Sequence, residues 1–218
     1  MNFSKLSIDE ILFQSSIRIN NSLGDSKILN AVSPMGYPEP KLNEGKTLLD
    51  EVSSLVQNQQ KEYGELDAAQ ETFTVEKQKA NETYKNMVAI GRIAFKTDVQ
   101  ATTTLELNGR RASTHSGWLK QTQGFYRALL ANESWKAAMA NYGQTEEKLT
   151  AEIAAIESVA AASENVRKEM GDAQNATQQR DQKVEELADW INDYEVIARI
   201  ALADKPQLLE KIGIVVKG

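Results

Sequence analysis

Val88-Ala-Ile-Gly-Arg-Ile-Ala-Phe95 is answered late in the chain by Val196-Ile-Ala-Arg-Ile-Ala-Leu202. Arg92, Ile93 and Ala94 match Arg199, Ile200 and Ala201, one residue against one, without a gap. The offset that carries Arg92 to Arg199 also pairs Leu12 with Leu119, Lys41 with Lys148, Leu42 with Leu149, Val52 with Val159, Glu62 with Glu169 and Gly64 with Gly171. It pairs Ala69 with Ala176 and Gln100 with Gln207 as well. Matching chemistry at one constant offset predicts one architecture used twice. The expected repeat units are 1–109 and 110–218, packed as a single structural domain because an amphipathic helix pair needs another apolar face to cover it.

Each quoted stretch closes a long helical pattern. In the first half, Leu49, Val52, Val56, Gln59, Tyr63, Leu66, Gln70, Phe73, Lys77, Ala80, Tyr84, Met87, Gly91 and Ala94 alternate steps of three and four. That is the spacing of a heptad seam. In the second half the same phase runs through Ile156, Val159, Ser163, Val166, Met170, Ala173, Thr177, Arg180, Val184, Leu187, Ile191, Tyr194, Ala198 and Ala201. Gln59, Gln70 and Lys77 loosen the first seam, as Thr177 and Arg180 loosen the second. The first long helix is expected from an Asn43 cap to about Lys96, on the order of 80 Å. Gly64 and Gly171 admit two readings, a helix that continues through them or a hairpin that reverses there. Neither has a neighbouring proline, and a lone glycine costs a helix only about 1 kcal/mol relative to alanine, which favours continuity.

Shorter elements precede each long helix. Ser7 with Glu10 has the spacing of a capping box, and Ile8, Ile11, Leu12, Ser15 and Ile19 give the first helix an apolar or small face. Ile28, Leu29 and Val32 predict one more turn before Pro34-Met-Gly-Tyr-Pro-Glu-Pro40, where three prolines make a loop. In the second half, Trp118, Leu119, Phe125, Tyr126, Leu129 and Leu130 cover one helical face, and Trp135, Ala138, Met139 and Tyr142 extend it toward Gly143. Val99, Thr102, Thr103, Leu105 and Leu107, followed by Asn108-Gly109, read as an extended crossover. The tail from Lys205 starts as a proline-initiated helical turn and finishes extended, its apolar end folded over the bundle. The fold class is therefore all-α: an elongated antiparallel helical bundle of two similar units with long coiled-coil-like helices.

Composition narrows the function. The 218 residues are 41% hydrophobic and 26% charged, an ordinary balance for a folded chain, so long-range disorder is not expected. Net charge is -6, and acidic residues outnumber basic ones in both halves, which argues against a broad nucleic-acid surface. Arg110-Arg111 is only a small basic spot, expected in a solvated turn. With no cysteine, disulfides and thiolate chemistry are excluded. The first ten residues lack the apolar core of a signal segment, so a cytoplasmic location is the default expectation.

No constellation in the sequence is sufficient for catalysis. His115 is the single histidine, which rules out a multi-histidine metal site within one chain. Beside Ser113, Thr114 and Ser116 it fits the start of a helix better than a catalytic base, because adjacency does not make a triad. Glu146-Glu147 and Glu185-Glu186 would bind a cation only if another helix supplied ligands, and Glu164 with Lys168 is an expected helical ion pair. Gly109, Gly117, Gly124 and Gly143 lack the spacing of a phosphate-binding loop. The aromatics Trp118, Phe125, Tyr126, Trp135 and Tyr142 fit a packed stripe better than a ligand platform, and Trp190 with Tyr194 can pack between helices. No catalytic, cofactor-binding or metal residue is assigned, and no cofactor is expected.

Gly171-Asp-Ala-Gln-Asn-Ala-Thr177, Arg180-Asp181, and the run from Ala198-Arg-Ile-Ala-Leu202 through Pro206-Gln-Leu-Leu-Glu-Lys-Ile-Gly213 resemble an uncharacterised group of bacterial all-helical proteins. The resemblance covers mainly 166–216; it implies a bacterial, all-helical chain and no activity. The leading functional expectation is a structural or protein-interaction module without enzymatic activity, with a protein partner or self-association and no nucleic acid. One alternative is a membrane-active helical protein that rearranges on lipid, suggested by the apolar stretches 87–95 and 212–216. Another is an enzyme whose site the sequence does not reveal.

Overall fold

The computed structural model describes residues 6–215. Helix accounts for 83% of the described residues, with no strand among them, so the all-α reading holds. The order is α1 (Ile8–Gly24), α2 (Ser26–Val32), a 3-10 turn (Ser33–Met35), α3 (Glu39–Ala94), α4 (Val99–Thr104), α5 (His115–Leu130), α6 (Glu133–Ala140), α7 (Glu146–Ala201) and α8 (Pro206–Lys211). The first residues of α1, α2, α3 and α4 (Ile8, Ser26, Glu39 and Val99) correspond to those of α5, α6, α7 and α8 (His115, Glu133, Glu146 and Pro206) at the same offset that relates Arg92 to Arg199. Both α3 and α7 contain 56 residues.

The long helices run unbroken through Gly64 and Gly171, as their helix-forming neighbours favour. α3 begins at Glu39, not at Asn43. Pro40 sits in the first turn, where its missing N–H has no intrahelical partner to lose. Ser7 caps α1 as expected, its Oγ accepting from the Glu10 amide at 3.3 Å, while the Glu10 carboxylate accepts from Gln14 Nε2 at 2.8 Å. Asp25 and Asn132 cap α2 and α6, and Asn132 separates α6 from α5. The extended crossover expected after α3 is instead helical over α4. Asp98 caps it by accepting from the Ala101 amide at 2.9 Å, and the Thr102 hydroxyl donates to the Asp98 carbonyl at 2.6 Å. With Ala101, Leu105 and Leu107 all buried, packing and capping outweigh the strand propensity of the threonines.

The backbone forms two compact units that cut across the sequence halves, one of Met1–Gly64 with Gly171–Gly218, the other Glu65–Met170. Within each, α3 and α7 segments pair antiparallel. In the first unit Glu51 meets Lys183 at 3.5 Å and Tyr63 meets Thr177 at 3.4 Å, so partners descend α7 as α3 ascends. In the second, residues 65–72 of α3 share a hollow with 162–169 of α7, and 76–83 share another with 151–158, the same descending order. This is why one compact unit draws on both ends of the sequence.

The first unit has two apolar clusters. Ile11, Ile19, Leu49, Val52, Leu187, Ala188 and Ile191 form one. The second joins Ile28, Val32 and Leu42 to Tyr194, Ala198, Leu202, Leu209, Ile212 and Ile214, so the chain after α8 is core as far as Ile214, while Val215 is exposed. Val216 lies outside the described residues. In the second unit one cluster gathers Ala80, Tyr84, Met87, Phe95, Leu105, Leu107, Trp118, Phe125, Tyr126, Leu149, Ile156 and Val159.

Most seam positions face these cores, but not all. Tyr63 and Met170, which correspond in the two halves, are 43% and 44% exposed, and Gln70 is exposed too, while Ala69 and Ala176, which lie off the seam, are buried. A helix of 3.6 residues per turn drifts against a strict seven-residue repeat, so the buried face moves off the heptad near the helix middles.

Candidate functional site

Buried polar groups mark where sequence and packing conflict, and the first unit has a pronounced case on α1. Arg18 is 1% exposed, on a face otherwise lined by Ile11, Ser15, Ile19 and Ser22. Its guanidinium donates to Gln14 Oε1 at 2.7 Å, to Glu195 Oε2 at 3.3 Å and to the Gly213 carbonyl at 3.4 Å. Arg199 donates to the other Glu195 oxygen at 2.6 and 3.1 Å. Nearby, the Ser22 hydroxyl donates to the Arg18 carbonyl at 2.6 Å and therefore accepts from the Tyr194 hydroxyl. Burial pulls the Arg18 guanidinium below its usual range, opposed by the Glu195 charge. Burial pushes Glu195 up, but hydrogen bonds from Arg199 and the charge of Arg18 outweigh it and hold the carboxyl below the ordinary range. This network ties α1, α7 and the segment after α8 together. It commits its donors and acceptors to the fold, which makes it a latch.

The second unit keeps part of that latch. Arg92, the counterpart of Arg199, donates through Nε to the Leu107 carbonyl at 2.7 Å, while Arg199 reaches the Val215 carbonyl at 3.5 Å. The position matching Arg18 is Phe125, packed against Tyr84 and Tyr126.

The more open chemistry lies where α3 passes the start of α5. Thr114 caps α5 by accepting from the Gly117 amide at 3.2 Å, which places Ala112, Ser113, Thr114 and Trp118 opposite Phe73, Thr74, Lys77, Gln78 and Asn81. Together they line a cavity of about 480 Å³. Trp118 donates from Nε1 to Asn81 Oδ1 at 2.9 Å. The Lys77 ammonium lies 5.3 Å from the Phe73 ring centre and 6.0 Å from that of Trp118. His115 opens α5 with its ring edge-on to Phe73 and stacked on Trp118. Both its ring nitrogens are buried without a hydrogen-bond partner. Burial lowers the His115 pKa below 6.5, and the positive charges of Lys77 and Arg167 lower it further. The imidazole is thus held neutral beside a cationic spot.

Other residues singled out in the sequence fall elsewhere. Arg110 is exposed, whereas Arg111 is half-buried: it donates to the Tyr84 hydroxyl at 2.5 Å and to the Glu106 carbonyl at 2.6 Å, closing the turn after α4. Glu146 pairs with Lys136 at 2.9 Å and Glu186 with Lys183 at 2.6 Å. Glu164 goes to Arg167 at 2.9 Å, and Lys168 to Glu169 at the same distance. Trp118, Phe125, Tyr126 and Trp135 are core residues, whereas Tyr142 is exposed. Trp190 stacks on Tyr194 and meets Tyr37 edge-on. Lys77 and Asn81 escaped notice as site residues because each is ordinary in a helix. The available signal was a lysine at a seam position, where an apolar residue is expected.

No helix among the described residues is long and apolar enough to cross a membrane. No protein-family model, curated protein or solved structure matches the chain.

Proposed function

We propose that this chain is a structural or protein-interaction module without enzymatic activity, built from a helical unit used twice. The common spacing of the four pairs of helix starts supports the duplication. What carries the interaction reading is a pair of matched surface residues. Ile93, near the end of α3, and Ile200, near the end of α7, are 63% and 57% exposed. Val196, one turn before Ile200, is exposed as well. Scattered exposed apolar residues are ordinary. Two isoleucines kept in solvent at corresponding positions, while their neighbours Phe95 and Leu202 are buried, fit contacts with a protein partner or a second copy.

The test is native purification of the tagged full chain beside an Ile93→Asp/Ile200→Asp variant. A complex without turnover that forms with the wild type and is lost in the variant is the expected result. A wild-type chain that emerges alone, or a complex indifferent to both substitutions, refutes the reading. A membrane-active role would require Met87, Val88, Phe95, Ile212 and Ile214 to leave the cores that hold them, and vesicle leakage is its assay.

A further inference from the structure

The cavity beside Trp118 differs from its surroundings in charge. Lys77 is the one charged residue among those lining it, and no carboxylate does. Neighbouring hollows carry acids: Glu65 and Glu169 in one, Glu76 and Glu152 beside Lys79 in another. In a chain of net charge -6, a cationic hollow without a carboxylate is set against the average surface. Among the described residues Lys77 makes no ion pair, and the ammonium of this half-buried side chain lies near the faces of two rings.

The duplicated pattern sharpens the contrast. The counterparts of Trp118, Lys77 and Asn81 in the other half are Ile11, Val184 and Ala188. Those three pack together in an apolar cluster of the first unit. Where one half fills the space between its helices with aliphatic carbon, the other places an indole, an ammonium and an amide. Asn81 accepts from Trp118 through its carbonyl oxygen, which leaves its NH2 as a donor on a residue that lines the cavity with Lys77. Ser113 and Thr114, which carry hydroxyls, line the same cavity. Residues with hydrogen-bond donors thus share one hollow with a single positive charge and aromatic carbon, and the volume falls within the range of small-molecule sites.

We propose that the cavity lined by Phe73, Lys77, Asn81, Ser113, Thr114 and Trp118 binds a small aromatic carboxylate. The carboxylate is received by the Lys77 ammonium and its neighbouring donors, and the ring lies against Phe73 and the edge of Trp118. Charge-assisted hydrogen bonds make the carboxylate the distinguishing group. The proposal is independent of any protein partner at Ile93 and Ile200.

The experiment follows the three indole N–H resonances of the full-length protein by NMR during titration with benzoate, benzamide and inorganic phosphate. Benzoate is expected to move the Trp118 resonance saturably while those of Trp135 and Trp190 stay in place. Benzamide, which has the ring without the charge, should bind at least about tenfold more weakly. Lys77→Gln should reduce benzoate binding to the benzamide level with helical content unchanged. Equal binding of benzoate and benzamide by the wild type overturns the proposal whether or not the variant folds. So does phosphate binding as tightly as benzoate, a common shift of all three indoles, or no saturation by about 10 mM.

Discussion

Replacing Gly64 and Gly171 together with alanine should stabilise the protein. Both lie inside long helices on exposed turns, and a Cβ added at either meets nothing within 4 Å. The change therefore leaves packing untouched and acts through backbone freedom, which alanine restricts in the unfolded chain. Each substitution is worth about 1 kcal/mol in an exposed helix interior, and the pair about 2 kcal/mol. With an unfolding entropy of about 2.1 cal/mol/K per residue, that raises Tm by about 4 °C for a chain of this length. Gly45→Ala supplies the opposite sign inside the same helix. There an added Cβ would stand 2.5 Å from Trp190 Cη2 and 2.7 Å from two further ring carbons. Overpacking of that kind costs about 1–3 kcal/mol and should lower Tm. Thermal unfolding followed by circular dichroism reads both. A double variant that melts at or below the wild type, or a Gly45→Ala variant that melts above it, is incompatible with these glycine environments.

Three further outcomes are expected. Arg18→Ala leaves Glu195 without its buried Arg18 partner, and urea unfolding should show a loss of about 3 kcal/mol. Leu107→Ala and Ile214→Ala, which empty matched buried positions after α4 and α8, should each cost about 2–5 kcal/mol in the same assay. Third, His115 should titrate below 6.5 by NMR. Because the folded protein then binds fewer protons than the unfolded chain, the stability contributed by the neutral imidazole is present above that pH and is lost as pH falls through and below it. His115→Gln should flatten this acid-side loss, and an unchanged profile would contradict the assignment.

The helical class and the spacing at which the pattern recurs are legible in the residues alone, and continuity through Gly64 and Gly171 is favoured there over a reversal. These are local or periodic properties: a lone glycine weakens a helix without ending it, and Ser7 with Glu10 announces a cap. The rest depends on contacts between distant residues. Only packing shows that the buried face moves past Tyr63 and Met170, because helical drift accumulates over several turns. Only the pairing of distant residues brings Arg18 to Glu195 or sets Lys77 and Asn81 against Trp118. In the linear chain Lys77 is one more helical lysine. Its charge acquires chemical meaning only when a second helix puts rings and donors around it, because electrostatic and hydrogen-bonding interactions depend on separation in space.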